Sequence, residues 1–305
     1  ALSFHAPTPL EYFASLVQSD DHLPLLEAAA SLAQDEEPML DVGQVLGDVD
    51  RLLKRVQSRL APEVDDLTRL AVLTQVFYKE LGFGLNANDY YAPENSHLQE
   101  VLRTRRGIPI SLAVVWLELA QGLGLDAQGI SFPGHFLVKV ALDAGLVVID
   151  PVNGQSLGLD TLAERLAPYR DASDRLAGAD LDEGETPLGL YLQACPPRDV
   201  LARMLRNLKE IFRSQEDWPR LLAVMDRLVV LLPHDMGERR DRGLVHAELA
   251  PVPGRVRRVR RESSRSLSRD VPPRSALRDR QSGASAGVRA FVRGVGRTSA
   301  RDSRT

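Results

Sequence analysis

The chain has 305 residues, 44% of them hydrophobic and 26% charged, which is the composition of a globular protein with length for one large domain or two ordinary ones. It contains no run of about 18 apolar residues, so no transmembrane helix is predicted, and its single cysteine, Cys195, excludes a disulfide framework and a thiolate-cluster metal site. The net charge of −4 is divided unevenly: residues 251–305 carry fifteen arginines, no lysine and four acids, a net of +11, leaving −15 on the first 250. An acidic body is a poor binder of nucleic acid, whereas the terminal stretch by itself attracts phosphate. The first residues, Ala1 to Pro7, lack a basic region followed by an apolar one. The expected location is therefore a reducing cytoplasm, with no membrane association.

Thr8-Pro9-Leu10-Glu11 is a capping box with proline at the first helical position, opening a helix to about Gln18. An Ala-rich apolar stretch from His22 to Gln34 predicts the next helix, broken at Asp35 to Pro38. Val45, Val49, Leu52, Leu53, Val56 and Leu60 give an amphipathic helix from about Asp41 to Leu60. Leu67, Leu70, Leu73, Val76, Phe77 and Leu81 give another, ended by Gly82 and Gly84. Asn86 to Asn95 is a polar and aromatic loop. Its Tyr90 and Tyr91 either line a cleft or, more commonly for tyrosine, pack with their hydroxyls outward.

Residues 95 to 155 are the most informative stretch. Ser96 with Gln99 predicts a capping box over a short helix. Pro109 suits the first turn of a buried helix carrying Leu112, Val115, Trp116, Leu119 and Leu123, with Gly122 and Gly124 at its end. Phe136 to Leu142 and Leu146 to Ile149 are apolar β-branched runs split by Asp143-Ala144-Gly145, a hairpin signal; two or three strands are expected here. This order puts Ser111 in the first turn of the buried helix, His135 at a strand start and Asp150 at a strand end. Asp160 is expected to cap a helix from Thr161 to Tyr169, followed by an Asp-, Gly- and Ala-rich connection over 171–187. After Pro196-Pro197, Val200, Leu201, Met204, Leu205, Leu208, Ile211 and Phe212 predict one helix. Trp218 to Leu232 predicts its partner, stopped by Pro233, and a third helix begins near Asp235.

A helix-borne nucleophile followed by a strand His and a strand Asp-Pro resembles the transglutaminase-like fold, whose triad is Cys, His and Asp. Arg106-Gly107-Ile108-Pro109-Ile110-Ser111, Pro133-Gly134-His135-Phe136 and Asp150-Pro151 together resemble the bacterial SirB-type family, in which a transglutaminase-like domain precedes tetratricopeptide-like helices. The resemblance runs over about residues 8–250. It implies an α+β fold that is mostly helical, with a small antiparallel sheet, C-terminal tetratricopeptide-like helices and a disordered tail. The divisions are 1–170 for the transglutaminase-like domain with its helical N-terminal portion, 171–195 for a connection, 196–250 for the helices and 251–305 for the tail. It also points to a cleft whose candidate residues are Tyr90, Tyr91, Asn95, Pro109 and Gly134 around a pseudo-triad of Ser111, His135 and Asp150.

Serine at position 111 decides the expected chemistry. A helix N-terminus and an imidazolium can lower a thiol's pKa into the physiological range, but a hydroxyl starts too high for the same devices to ionise it. Ser111 would need His135 as general base, Asp150 to orient the ring and two N–H groups as an oxyanion site. Otherwise it is a helix-start hydroxyl satisfied by nearby backbone. The first expectation is thus a non-catalytic scaffold or regulator that binds another protein. The second is a serine-dependent acyl transferase or amide hydrolase using Ser111, His135 and Asp150. The third is nucleic-acid binding through residues 251–305 alone. No cofactor is implied, and the histidines show no spacing for a metal. The arginine-only basicity and the loss of apolar period after Ala250 read as a reading-frame change near the 3′ end of the gene, with a genuine basic arm as the alternative.

Overall fold

The computed structural model describes residues 6–177 and 188–249. Thr8 closes its capping box over α1 (Pro9–Leu16): its hydroxyl accepts from the Glu11 N–H at 3.2 Å, and the Glu11 carboxylate accepts from the Thr8 N–H at 2.8 Å. α2 (Leu25–Ser31) continues into a 3₁₀ turn, Leu32–Asp35. α3 (Val42–Gln57) starts from Asp41, whose carboxylate accepts from the Gln44 N–H, and buries Val45, Val49, Leu52 and Val56 on one face. α4 (Asp66–Thr74) was expected to run on to Leu81. Instead it widens into a π-helical turn, Gln75–Glu80, closed by a 2.8 Å bond from the Leu81 N–H to the Val76 carbonyl. Around this turn Phe77 stacks on Phe83 with ring centroids 4.1 Å apart, and Tyr78 packs on Gly154.

β1 (Gly84–Leu85) and β2 (Arg106–Gly107) pair in parallel. Between them a 3₁₀ turn, Pro93–Ser96, leads into α5 (Leu98–Thr104). The Ser96–Gln99 capping box does not form. The 3₁₀ turn already contains Ser96, so His97 becomes the residue before the helix, and the buried Ser96 hydroxyl has no partner.

α6 (Pro109–Gly122) has apolar residues all round, and nearly all of it is buried, Trp116 completely. It packs against α2, α3, α4 and α5 on its helical sides and against the sheet on another. That sheet is an antiparallel meander of four strands in chain order, β3 (Asp126–Ile130), β4 (Leu137–Leu142), β5 (Gly145–Asp150) and β6 (Gln155–Leu157). The β4–β5 hairpin is the one read from sequence; β3 and β6 are short and half polar, without the apolar run that marked the other two. Alternation sorts the side chains: Val138, Val140, Val147 and Ile149 join α6 in the main core, whereas Leu137 and Val148 face the opposite side. There they meet Leu162 and Leu166 of α7 (Leu159–Ala177). α7 begins before Asp160, which therefore lies in its first turn and is not a cap, and it extends past Tyr169. Residues 171–177 are thus helical where a connection was expected. Residues 178–187, and the 251–305 tail, lie outside the described residues.

α8 (Leu188–Tyr191) precedes three longer helices, α9 (Pro197–Ser214), α10 (Trp218–Leu231) and α11 (Met236–Leu249). α9 and α10 share the main core with the N-terminal helices, α9 against α2 and α10 against α1. Charged ties accompany the packing. Arg198 reaches the carbonyls of Val17 and Leu231, each at 2.6 Å. Arg227, wholly buried, lies over the Phe13 ring and grips both oxygens of Asp35 at 2.6 and 2.8 Å. Buried Lys209 of α9 meets Glu238 at 2.6 Å and Asp241 at 2.9 Å on α11. Among the described residues no helix is long and apolar enough to cross a membrane.

Removing one member of a buried ion pair strands the other charge, typically at a cost of about 3–5 kcal/mol. Asp35→Ala is therefore expected to destabilise the protein by about 3 kcal/mol or more in urea unfolding, far beyond the effect of removing the exposed Asp48 partner of Arg51.

Candidate functional site

Ser111 is the third residue of α6 and is fully buried. Its Oγ lies 2.6 Å from the Asn95 carbonyl, to which it donates, and accepts from the Ile108 N–H at 3.1 Å. The Ile108 carbonyl stands 3.1 Å away as a second acceptor. Gly107 presses on the same atom, since a Cβ there would come within 2.7 Å of it. The hydroxyl is enclosed by backbone, and none of its hydrogen bonds reaches His135.

Asn95 is occupied with shaping its own loop. Its side-chain amide donates to the carbonyls of Asp89, at 2.6 Å, and Tyr90, at 3.1 Å, while its Oδ1 accepts from Asn86 at 2.9 Å. Tyr90 packs against the main core, and Tyr91, 42% exposed, stands edge-on to it. Pro109 is buried at the helix start.

His135 and Asp150 do meet. The β4–β5 hairpin sets them at neighbouring ends of paired strands, Val138 opposite Ile149, and His135 Nε2 lies 2.9 Å from Asp150 Oδ1. An ionised carboxylate can only accept, so Nε2 carries the proton in this contact. Asp150 is nearly inaccessible. Burial on its own would push its pKa up. His135, Arg165 and the Val152 N–H outweigh that and hold the carboxyl well below the usual range.

Arg165 was not read from the sequence. It donates from Nη1 to Asp150 Oδ2 at 3.0 Å, so the acid is clamped on both oxygens. Its location on α7, one turn from the core-facing Leu162 and Leu166, was the available signal, since α7 follows the Asp150-Pro151 turn almost directly. Tyr169, one turn further, sits over Gly134. Gly134 is in the left-handed region (φ 65°), and a Cβ there would fall 1.6 Å from the Tyr169 hydroxyl. Behind the pair, Tyr78 donates to the Pro151 carbonyl at 3.0 Å, and burial raises its pKa well above normal. From α9, Arg203 donates to Ser131 Oγ at 2.7 Å and braces the loop that leads to His135. Burial likewise raises the Cys195 thiol to about 11, unsuited to nucleophilic work. No cluster of metal-binding side chains occurs among the described residues. A groove of about 370 Å³ along α4 and the π-helical turn, lined by Arg59, Leu67, Val72 and Glu80, includes none of the candidate site residues.

His97 is a second buried histidine, 3.3 Å from a Glu36 oxygen. Burial lowers its pKa below 6.5 against the pull of Glu36, Glu94, Glu37 and Asp35. Both His97 and Asp150 therefore bind protons more readily in the unfolded chain. Stability is expected to fall as the pH drops below about 6.5 through the lowered His97 value, and again below about 4 through Asp150. Urea midpoints across pH 8 to 3 check this: His97→Gln should shrink the first loss, and Asp150→Asn the second.

Comparison with known proteins gives the chain's family. A family model described as the transglutaminase-like superfamily matches residues 43–206, and one for the tetratricopeptide repeat matches 208–253. A UPF0162 protein of Xylella fastidiosa is 35% identical over 247 residues, covering 79% of this chain and 84% of the relative. A UPF0162 protein of Vibrio cholerae is 28% identical, covering 75% and 81%, and the protein SirB1 of Salmonella typhimurium is 27% identical, covering 67% and 72%. No solved structure matches the chain. The chain therefore belongs to the transglutaminase-like superfamily, with bacterial UPF0162 and SirB1 proteins as relatives, and a tetratricopeptide match follows its transglutaminase-like part.

Proposed function

We propose that the chain is a non-catalytic transglutaminase-like protein that works by binding another protein, as a scaffold or regulator. The observation that carries this reading is the state of Ser111. Its proton is directed at the Asn95 carbonyl, its lone pair is engaged by the Ile108 N–H, and it is fully buried. To act as a nucleophile it would have to break the 2.6 Å bond, turn toward a base and meet a substrate, all from a closed site. A thiolate at such a helix start could be stored ready-made; a hydroxyl cannot. The tetratricopeptide match over 208–253 supports the binding half of the proposal.

The second reading, acyl transfer or amide hydrolysis with Ser111 as nucleophile, draws on one observation, the 2.9 Å contact of His135 Nε2 with Asp150. That contact would orient an imidazole with its other nitrogen available as a base.

Labelling with a fluorophosphonate serine probe and hydrolysis of p-nitrophenyl acetate separate the two. The scaffold reading expects folded wild type to be no more reactive than Ser111→Ala or His135→Ala. Reactivity that both variants abolish would overturn it. Ser111→Ala is also expected to destabilise the fold by about 1–3 kcal/mol, because the Ile108 N–H and the Asn95 carbonyl are left unpaired inside.

A further inference from the structure

α11 has one committed face and one open face. On the inner side Val245 is buried, Glu238 and Asp241 are held by Lys209, and Arg242 pairs with Asp226 at 3.3 Å. On the outer side Met236, Arg239, Arg240, Gly243, Leu244 and Ala247 follow one another at the spacing of a single helical stripe, and all are exposed. Met236 is 69% and Leu244 61% exposed, high for large apolar side chains on a helix. Among the described residues, nothing outside the helix's own backbone lies within 4 Å of where a Cβ on Gly243 would stand, so a second backbone can approach closely at the middle of the stripe. The charge on this face is also uncommitted. Arg239 makes no ion pair among the described residues, and Arg240 meets only its neighbour Asp241, at 3.2 Å on the surface.

We propose that this stripe docks an amphipathic helix from another protein, one that combines an apolar ridge with flanking carboxylates. The inference rests on the protein-binding reading above and names the surface and the chemistry of the partner. Two other occupants fit less well. The chain's own residues 251–305 have no apolar helical period, and their fifteen arginines against four acids would face Arg239 and Arg240 with like charge. A second copy using the same stripe would bring Arg239 and Arg240 to both sides of the contact, against an Asp241 already engaged by Lys209 and Arg240. An acidic amphipathic helix satisfies both features at once, covering Met236 and Leu244 and pairing the two arginines.

The test uses the full chain and two synthetic helical peptides, one with a leucine ridge flanked by glutamates and the same ridge flanked by lysines. Titration is expected to show the glutamate peptide binding at least about tenfold tighter, with the advantage shrinking as salt rises. Leu244→Glu should abolish binding, and the pair Arg239→Glu with Arg240→Glu should reverse the preference, with circular dichroism confirming that the variants remain folded. Equal affinity for both peptides, no binding, or binding indifferent to Leu244→Glu would overturn the proposal. So would sedimentation showing a dimer that Leu244→Glu dissolves, which would put a second copy on the stripe. None of these outcomes bears on the reactivity of Ser111, so failure here is distinguishable from failure of the scaffold reading.

Discussion

A helix that is apolar on most of its surface has to be covered on most of its sides, and α6 is such a helix, open to solvent only at Glu118, Gln121 and Gly122. One layer of partners cannot do this, so the fold supplies several: α2, α3, α4 and α5 on the helical sides, the β3–β4 face of the sheet, and α9 from the C-terminal part. The dependence runs in both directions. The short N-terminal helices are only seven to sixteen residues long and have little stability in isolation. Burial against α6 is what holds them in one arrangement. The C-terminal helices likewise depend on the rest, because a single helical pair leaves an apolar face bare unless a neighbour covers it. Here the N-terminal helices are that neighbour.

Charge then fixes what hydrophobic contact alone would leave free to slide. Arg198, Arg220 and Arg227 each reach from the C-terminal helices to the segment between Val17 and Glu36. In the Arg227–Asp35 pair the guanidinium is wholly buried and the carboxylate partly so, and the bidentate geometry is what offsets their desolvation. The same acidic turn faces His97, which stands two residues from Asn95, the acceptor of the Ser111 hydroxyl. The helical end and the centre of the transglutaminase-like part are therefore connected by contiguous polar contacts as well as by packing.

At the site, an imidazole and a guanidinium share one carboxylate. Asp150 gives one oxygen to His135 and the other to Arg165, and its backbone neighbour Val152 donates as well. This holds the acid ionised and the ring oriented, whether or not chemistry follows. Ser111, on the other side of the hairpin in sequence, is engaged in a separate set of backbone bonds. His135, Asp150 and Arg165 thus form one polar unit, while the Ser111 hydroxyl serves the helix start.

The positions of His135 and Asp150 at the ends of a hairpin, and of Ser111 in the first turn of a buried helix behind Pro109, were legible in the residues alone. Proline at a helix start, glycine at its end, and the apolar β-branched runs Phe136 to Leu142 and Leu146 to Ile149 are local signals, each set by the chain's own residues. So were the Thr8–Glu11 box and the amphipathic face of α3. The half-polar strands β3 and β6, the π-helical turn after α4 and the displaced start of α5 were not legible, because each is settled by what packs against it. Arg165 on Asp150, Arg227 on Asp35 and Asn95 on Ser111 lie further still from any local rule. A polar side chain has no periodicity that announces its partner, and these partners are 15, 192 and 16 residues apart. What the amino-acid sequence determined by itself was most of the helices, the β4–β5 hairpin and the order of Ser111, His135 and Asp150 along the chain. Which hydroxyl, carboxylate and guanidinium meet was decided only when the tertiary structure brought distant backbone together, since hydrogen bonds act over a few ångströms of space and not along the chain.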